Sequence, residues 1–184
     1  MTMRTSPRDF SGLWLAATAT GLLAAPGLAS AEKLSVNLIG YQETPAINSA
    51  GTADFDVWIS PDQQSITWQL TYSGLANVTQ AHIHIGQRSV AGAIVIFLCT
   101  NGTPPAGQTI SACPTSAGTV TGTSNASNVL GVSAQGITAG DFAAVLAAIH
   151  AGVAYVNVHT MAHPGGEIRG QLMHQHHEDS DGRH

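Results

Sequence analysis

From Leu34 to Tyr72 the chain alternates apolar and polar positions with a period of two. Leu34, Val36 and Leu38 are separated by Ser35 and Asn37. Ala53, Phe55, Val57 and Ile59 are separated by Asp54, Asp56 and Trp58, and Ile66, Trp68, Leu70 and Tyr72 by Thr67, Gln69 and Thr71. Successive side chains of a strand leave opposite faces, so each run predicts a strand with one buried and one wet face. Pro61-Asp62 supplies a turn between the second and third runs, which predicts a hairpin. Further runs at 79–85, 93–99, 154–159 and 167–173 predict four more strands, and the stretch from Gly118 to Val132 has room for one or two. Many short antiparallel strands punctuated by Gly and Pro predict an all-β sandwich or closed barrel.

One segment has a different period. Phe142, Val145, Leu146 and Ile149 recur at i, i+3, i+4 and i+7, which predicts one short helix whose apolar stripe packs on the strands. Thr138 and Asp141 have capping-box spacing, with Asp in place of the usual Glu, and Gly152 supplies the stop. His150, near the helix C-terminus, is a favourable partner for the helix dipole and is not counted as a ligand.

The two ends of the chain follow neither pattern. Arg4 and Arg8 precede an apolar run through Leu13-Trp14-Leu15 and Leu22-Leu23-Ala24-Ala25 that closes on Ala29-Ser30-Ala31. A basic start, an apolar middle and a small-x-small site are the marks of a secretory signal peptide, so residues 1–31 are expected to be removed. Thr18, Thr20, Gly21 and Pro26 interrupt a run already short for a membrane anchor. Residues 32–173 then form one domain, and no later run is long enough to span a bilayer. Residues 174–184 form a His-rich acidic tail with no apolar anchor, expected to be disordered; it can capture metal or simply keep the terminus solvated.

Charged residues make up only 9% of the chain and its formal charge is −5, so there is no basic patch to neutralise phosphates and nucleic acid is excluded as a partner. Of the two ways to use Cys99 and Cys113, a disulfide suits an exported protein and closes the loop around Asn101-Gly102-Thr103-Pro104-Pro105, for roughly 3 kcal/mol in the chain-entropy model. A thiolate pair for a metal is the alternative, but the spacing is not that of a zinc knuckle.

The candidate chemistry lies on histidines. In Ala81-His82-Ile83-His84-Ile85, strand geometry sends both imidazoles out of the face opposite Ala81, Ile83 and Ile85. In Tyr155-Val156-Asn157-Val158-His159 the same rule puts Val156 and Val158 in the core and Tyr155, Asn157 and His159 on the polar side. Ile168, Gly170 and Leu172 face inward on the last strand, so Glu167, Arg169 and Gln171 share that polar side. His82, His84 and His159 can therefore converge on one ion, with His163 in the following loop as a candidate fourth ligand. Neutral imidazoles suit copper and zinc, and three of them leave a position for water or a small ligand. Glu167 is within reach of His159 and could fix its tautomer, as could other polar neighbours such as Asn157. Arg169 could draw in an anion or make an ordinary cross-strand pair. A purely structural role, in which His82 and His84 hydrogen-bond loops across the sheet end, is the other reading of the pair.

Several blocks taken together resemble the CHRD (chordin-type) domain: Leu38-Ile39-Gly40-Tyr41-Gln42-Glu43-Thr44-Pro45, Ser49-Ala50-Gly51-Thr52-Ala53, Ala81-His82-Ile83-His84, Tyr155-Val156-Asn157-Val158-His159-Thr160 and Gly165-Gly166-Glu167-Ile168-Arg169-Gly170-Gln171-Leu172. The resemblance implies a β-sandwich and an exported protein, in the periplasm or secreted. It implies no settled activity; in animal chordin the module belongs to a protein that binds growth factors. More distantly the chain is similar to copper-zinc superoxide dismutase, a Greek-key sandwich with a His-x-His pair on one strand and a copper ligand on a later one. That similarity implies a Greek-key antiparallel β-sandwich, with His82 and His84 matching the pair and His159 the later ligand. The chain has no clear bridging histidine and no His/Asp cluster for a zinc site, so copper binding and dismutase activity are separate questions. Two functions follow as expectations: a metal-binding module, copper before zinc, for metal handling or oxidative defence; or a metal-free module that binds envelope or extracellular proteins through its surface.

Overall fold

The structure is a computed structural model that describes residues 30–173; the expected tail, and all but the last two residues of the expected signal peptide, lie outside the described residues. Eight strands run in chain order: β1 (Glu32–Ile39), β2 (Thr52–Ile59), β3 (Ser65–Ser73), β4 (Val78–Ile85), β5 (Ala93–Thr100), β6 (Gly118–Asn125), β7 (Ala154–Thr160) and β8 (Ile168–Leu172). One helix, α1 (Phe142–His150), lies between β6 and β7. All seven strands predicted from alternation are present, and the 118–132 stretch yields one strand.

Every strand pairing is antiparallel, in the order β5-β4-β7-β8-β1-β2-β3-β6. β1 meets β8 at a single pair, Ile39 with Arg169, and β5 and β6 approach each other at the far edges, so the sheet nearly closes on itself. It is therefore all-β, in two four-stranded halves around one core. Leu38, Phe55, Ile66 and Leu70 come from one half, and Ile83, Ile96, Val156 and Ile168 from the other; all are fully buried. Truncating such a side chain, Phe55 for example, costs about 3–5 kcal/mol.

The half made of β1, β2, β3 and β6 has the amphipathic form its sequence predicts. Its outer face carries Thr67 opposite Thr123 and Thr71 opposite Thr119, with Asp54 and Asp56 accepting from Asn37 and Ser35 across the β1–β2 pair. On the inner face Trp68 sits opposite Gly122, where a Cβ would collide with the indole, and its Nε1–H donates to the buried Ser124 hydroxyl at 3.0 Å. Glycine at 122 is thus the cost of fitting the largest aromatic side chain into the core.

The helix begins later than a capping box at Thr138 implies. Asp141 is itself the N-cap, its carboxylate accepting the Ala144 N–H at 3.0 Å, while Thr138 contributes only a turn carbonyl to the Asp141 N–H. Asp is among the best N-cap residues, and a direct cap at Asp141 places Phe142, Val145, Leu146 and Ile149 on the buried stripe. Gly152, at φ 67°, ends the helix as expected, and His150 at its C-terminus meets Glu32 at 3.2 Å. Cys99 on β5 and Cys113 form a disulfide, with an S–S distance of 2.01 Å, that ties the 101–112 loop to the sheet.

Candidate metal centre

The antiparallel register of three neighbouring strands assembles the site. His82 lies opposite Asn157 and His84 opposite Tyr155 across β4 and β7; Asn157 lies opposite Arg169 and Tyr155 opposite Gln171 across β7 and β8. These residues therefore share one face, as period-two reasoning expects. The same unbroken register sets His159 opposite Gln80, diagonal to His82. Diagonal neighbours are within reach of long side chains, and the two rings meet, with centroids 4.9 Å apart.

That face is not wet. His82 is 0% exposed, His84 and His159 5% each, and Arg169 2%. The connection between β4 and β5 lies along its Arg169, Gln171, Tyr155 and His84 side, held by hydrogen bonds to its backbone. Arg169 donates to the carbonyls of Gln87 and Val90, both at 2.9 Å, and Gln171 donates to the carbonyl of Gly86 at 2.9 Å. The N–H of Gly92 donates to the Tyr155 hydroxyl at 3.0 Å. The guanidinium of Arg169 lies 3.5 Å above the Tyr155 ring, and Tyr155 stacks on His84 with centroids 4.7 Å apart and planes at 10°. Arg169 is thus a strut between the sheet and the 86–92 segment, with its side chain buried.

His82, His84 and His159 each bring one ring nitrogen to a common place, all within 4.8 Å of one another. Two carbonyls assign the tautomers. His84 Nδ1 lies 3.0 Å from the Gly92 carbonyl and His159 Nδ1 2.9 Å from the Pro164 carbonyl; a carbonyl only accepts, so both Nδ1 atoms carry protons and both Nε2 atoms are bare. His84 Nε2 is buried without a hydrogen-bond partner, as is His82 Nε2. His82 Nδ1 lies 3.2 Å from His159 Nε2. Two ligands of one tetrahedral ion with bonds of about 2.0 Å stand about 3.3 Å apart, so this spacing fits a shared metal.

Burial keeps the rings neutral. It depresses His82 to about 2, with His159 and His84 adding repulsion, and His84 to about 4, where the hydrogen bond to Gly92 pulls the other way. His159 is lowered by burial too, against the upward pull of Pro164. Neutral imidazole is the ligand form, so three buried histidines held neutral can hold a metal ion.

The other residues singled out from sequence take different places. His163 sits in the turn after β7 and is not among the three that converge. Glu167 does not reach the ring of His159, where the Pro164 carbonyl stands instead. It accepts from Ser49 and Thr160, both at 2.6 Å, and so ties the turn to the loop before β2. Asn157 does touch the cluster: its Oδ1 is 3.0 Å from His159 Nε2. Sequence reasoning missed Glu43, a carboxyl only 8% exposed that packs beside Asn157 and is raised above the usual carboxylate range chiefly by burial. Its signal was the Gln42-Glu43-Thr44-Pro45 block, which has no partner nearby in sequence to give it a role.

Fold and site together define an all-β protein with a buried three-histidine cluster on one sheet face. The family model for the CHRD domain matches residues 34–172, and the chain belongs to the CHRD-domain family. No curated protein and no solved structure matches the chain. Among the described residues, no helix is long and apolar enough to cross a membrane.

Proposed function

We propose that the chain is an exported CHRD-domain protein that holds one transition-metal ion, copper before zinc, on His82, His84 and His159, and that it serves metal handling, with oxidative defence second. The observation that carries the reading is the trio of buried, neutral imidazoles with ring nitrogens within 4.8 Å and two tautomers set by backbone carbonyls. The bare His84 Nε2, buried without a hydrogen-bond partner, would be a liability in a purely structural cluster, and a cation bound there removes it. For a given set of nitrogen and oxygen ligands the divalent affinity order places copper above zinc. A start built like a signal peptide and a disulfide both support a periplasmic or secreted location. Burial of all three rings supports holding an ion over turning over a diffusing substrate, because catalytic sites keep a position open.

The test is a titration with copper and with zinc of the full chain carrying alanine at His174, His176, His177 and His184, so that the tail does not contribute. One equivalent is expected to bind tightly, and His84→Ala or His159→Ala is expected to weaken it by about 100-fold or more, beyond the effect of losing an outer partner. Unchanged stoichiometry and affinity in both variants would remove the site. A chain that takes up no metal would leave the metal-free module, acting on envelope or extracellular proteins, as the reading to pursue.

A further inference from the structure

We infer that Asn157 is the fourth ligand of this site, its amide oxygen closing the coordination sphere and denying it to water and small anions. The inference rests on the reading of the three histidines as a metal site and goes beyond it, because it names a protein atom where three imidazoles alone leave a vacant position.

The first observation is a mismatch of lone pairs. His159 gives its one ring proton to the Pro164 carbonyl, so its Nε2 is bare, yet Asn157 Oδ1, also an acceptor, lies 3.0 Å from it. No proton is available between these two atoms in the neutral ring. His82 Nδ1, 3.2 Å from the same nitrogen, can donate to it and relieve one contact, but the amide oxygen stays opposed. A cation among them answers these three contacts together: with its proton on Nε2, which stays buried without a hydrogen-bond partner, His82 turns a bare Nδ1 to the ion beside His159 Nε2 and Asn157 Oδ1. The amide also bears on the His84 ring, whose free nitrogen is Nε2. The spacings of 3.0 and 3.2 Å are close to the edge of about 3.3 Å expected for tetrahedral bonds of about 2.0 Å.

The second observation fixes which way the amide points. Its Nδ2 is directed toward Gly166, where a Cβ would lie 2.7 Å from Nδ2 and would overlap Glu43 Oε1. Gly166, at φ 125°, puts no side chain into the space between Glu43 Oε1 and Asn157 Nδ2, and the Asn157 amide pulls the Glu43 pKa down against its burial. A carboxylate prefers the NH₂ group, so Glu43 turns Oδ1 toward the histidines. Glu43 is a positioning residue, and the Gly165-Gly166-Glu167 block is its counterpart from a hundred residues away.

The test uses the full chain with the four tail histidines replaced by alanine, loaded with cobalt(II), whose visible absorption reports coordination number, and with azide as the competing anion. The unsubstituted site is expected to give the intense absorption of a four-coordinate ion and no response to azide. Asn157→Ala is expected to lower cobalt affinity by about 10–100-fold and to make the spectrum respond to azide. Asn157→Asp, which keeps size and places an anionic oxygen in the same position, is expected to stay closed to azide with shifted bands, and it serves where the alanine variant does not fold. An azide response before any substitution at Asn157, or spectra and affinity unchanged by both substitutions, would overturn the assignment while leaving the histidine site standing. Failure of the unsubstituted site to take up cobalt or copper would overturn both.

Discussion

The two halves of the sheet are written in the same alphabet and end in different environments. β2 and β3 alternate buried and exposed positions, with Thr, Asp and Gln outside. β7 and β8 alternate just as clearly in sequence, Tyr-Val-Asn-Val-His and Ile-Arg-Gly-Gln-Leu, yet every residue in them is buried. Polar side chains on a strand thus mark a face without saying whether that face meets water. What differs is the cover: among the described residues the Thr and Asp rows of one half stay open, and in the other half the 86–92 segment is held down by Arg169, Gln171 and Tyr155. Buried polar groups must be satisfied, and the three converging rings could hold a metal ion.

Acid separates the halves most widely. A histidine of ordinary pKa 6.5 in the unfolded chain that is depressed in the fold binds more protons when unfolded. The stability of the metal-free protein is therefore full above pH 6.5 and falls as pH drops toward about 4 for His84 and about 2 for His82. The expected slope approaches about 1.4 kcal/mol per pH unit for each ring. Asp56, in the other half, is lowered mainly by its hydrogen bond from Ser35, so its contribution is lost only below its ordinary 3.8. Denaturant melts between pH 7 and 5 should thus show a steep loss that His82→Leu or His84→Leu flattens and Asp56→Asn does not. A flat profile over that range would mean that the rings are not held neutral by burial.

The strut and the staple come next. Arg169→Met removes the donor to the Gln87 and Val90 carbonyls, at about 0.5–1.5 kcal/mol for each lost hydrogen bond, and should also loosen the 86–92 segment enough to raise hydrogen exchange there. Thr71→Ala, on the open face of the other half, should stay within about 0.5 kcal/mol. Equal effects would erase the distinction between covered and open faces. Removing the Cys99–Cys113 bridge, whose ends are 14 positions apart in sequence, should cost about 3 kcal/mol, read as a lowered melting midpoint in the double serine variant.

The strand positions were legible because alternation is local: Val36, Phe55, Leu70 and Ile83 announce their faces within a few residues. The convergence of His82, His84 and His159 was legible too, since it follows from face assignment and antiparallel neighbours. The dryness of that face was not. It depends on backbone carbonyls at Gly86, Gln87 and Val90, which no side-chain pattern reports, and Gln87-Arg88 looks like any exposed turn. Nor could sequence order reveal that Pro164, and not Glu167, meets His159, because the choice turns on the path of a seven-residue loop. Glu43 stayed hidden for the opposite reason: its partners, Asn157 and Gly166, are more than a hundred residues away. Thr138 misled because capping-box spacing was present while a better cap stood three residues on.

The smallest expected effect lies on the open half. Lys33 and Asp56 form an ion pair at 3.0 Å on the β1–β2 face, and Lys33 also lies over the Trp58 ring, 5.1 Å from its centre. Both side chains are substantially exposed, so water and salt screen the pair, and such pairs contribute at most about 1 kcal/mol. Lys33→Met, which keeps an apolar stem over Trp58 and removes the charge, should lower stability by less than that at low salt and by nothing measurable at about 1 M salt, where the screening length is about 3 Å. A loss that persists in high salt would show that the Lys33 ammonium over the Trp58 ring contributes energy that salt does not screen, and that the open half holds its outer face together by more than hydrogen-bonded threonines and aspartates.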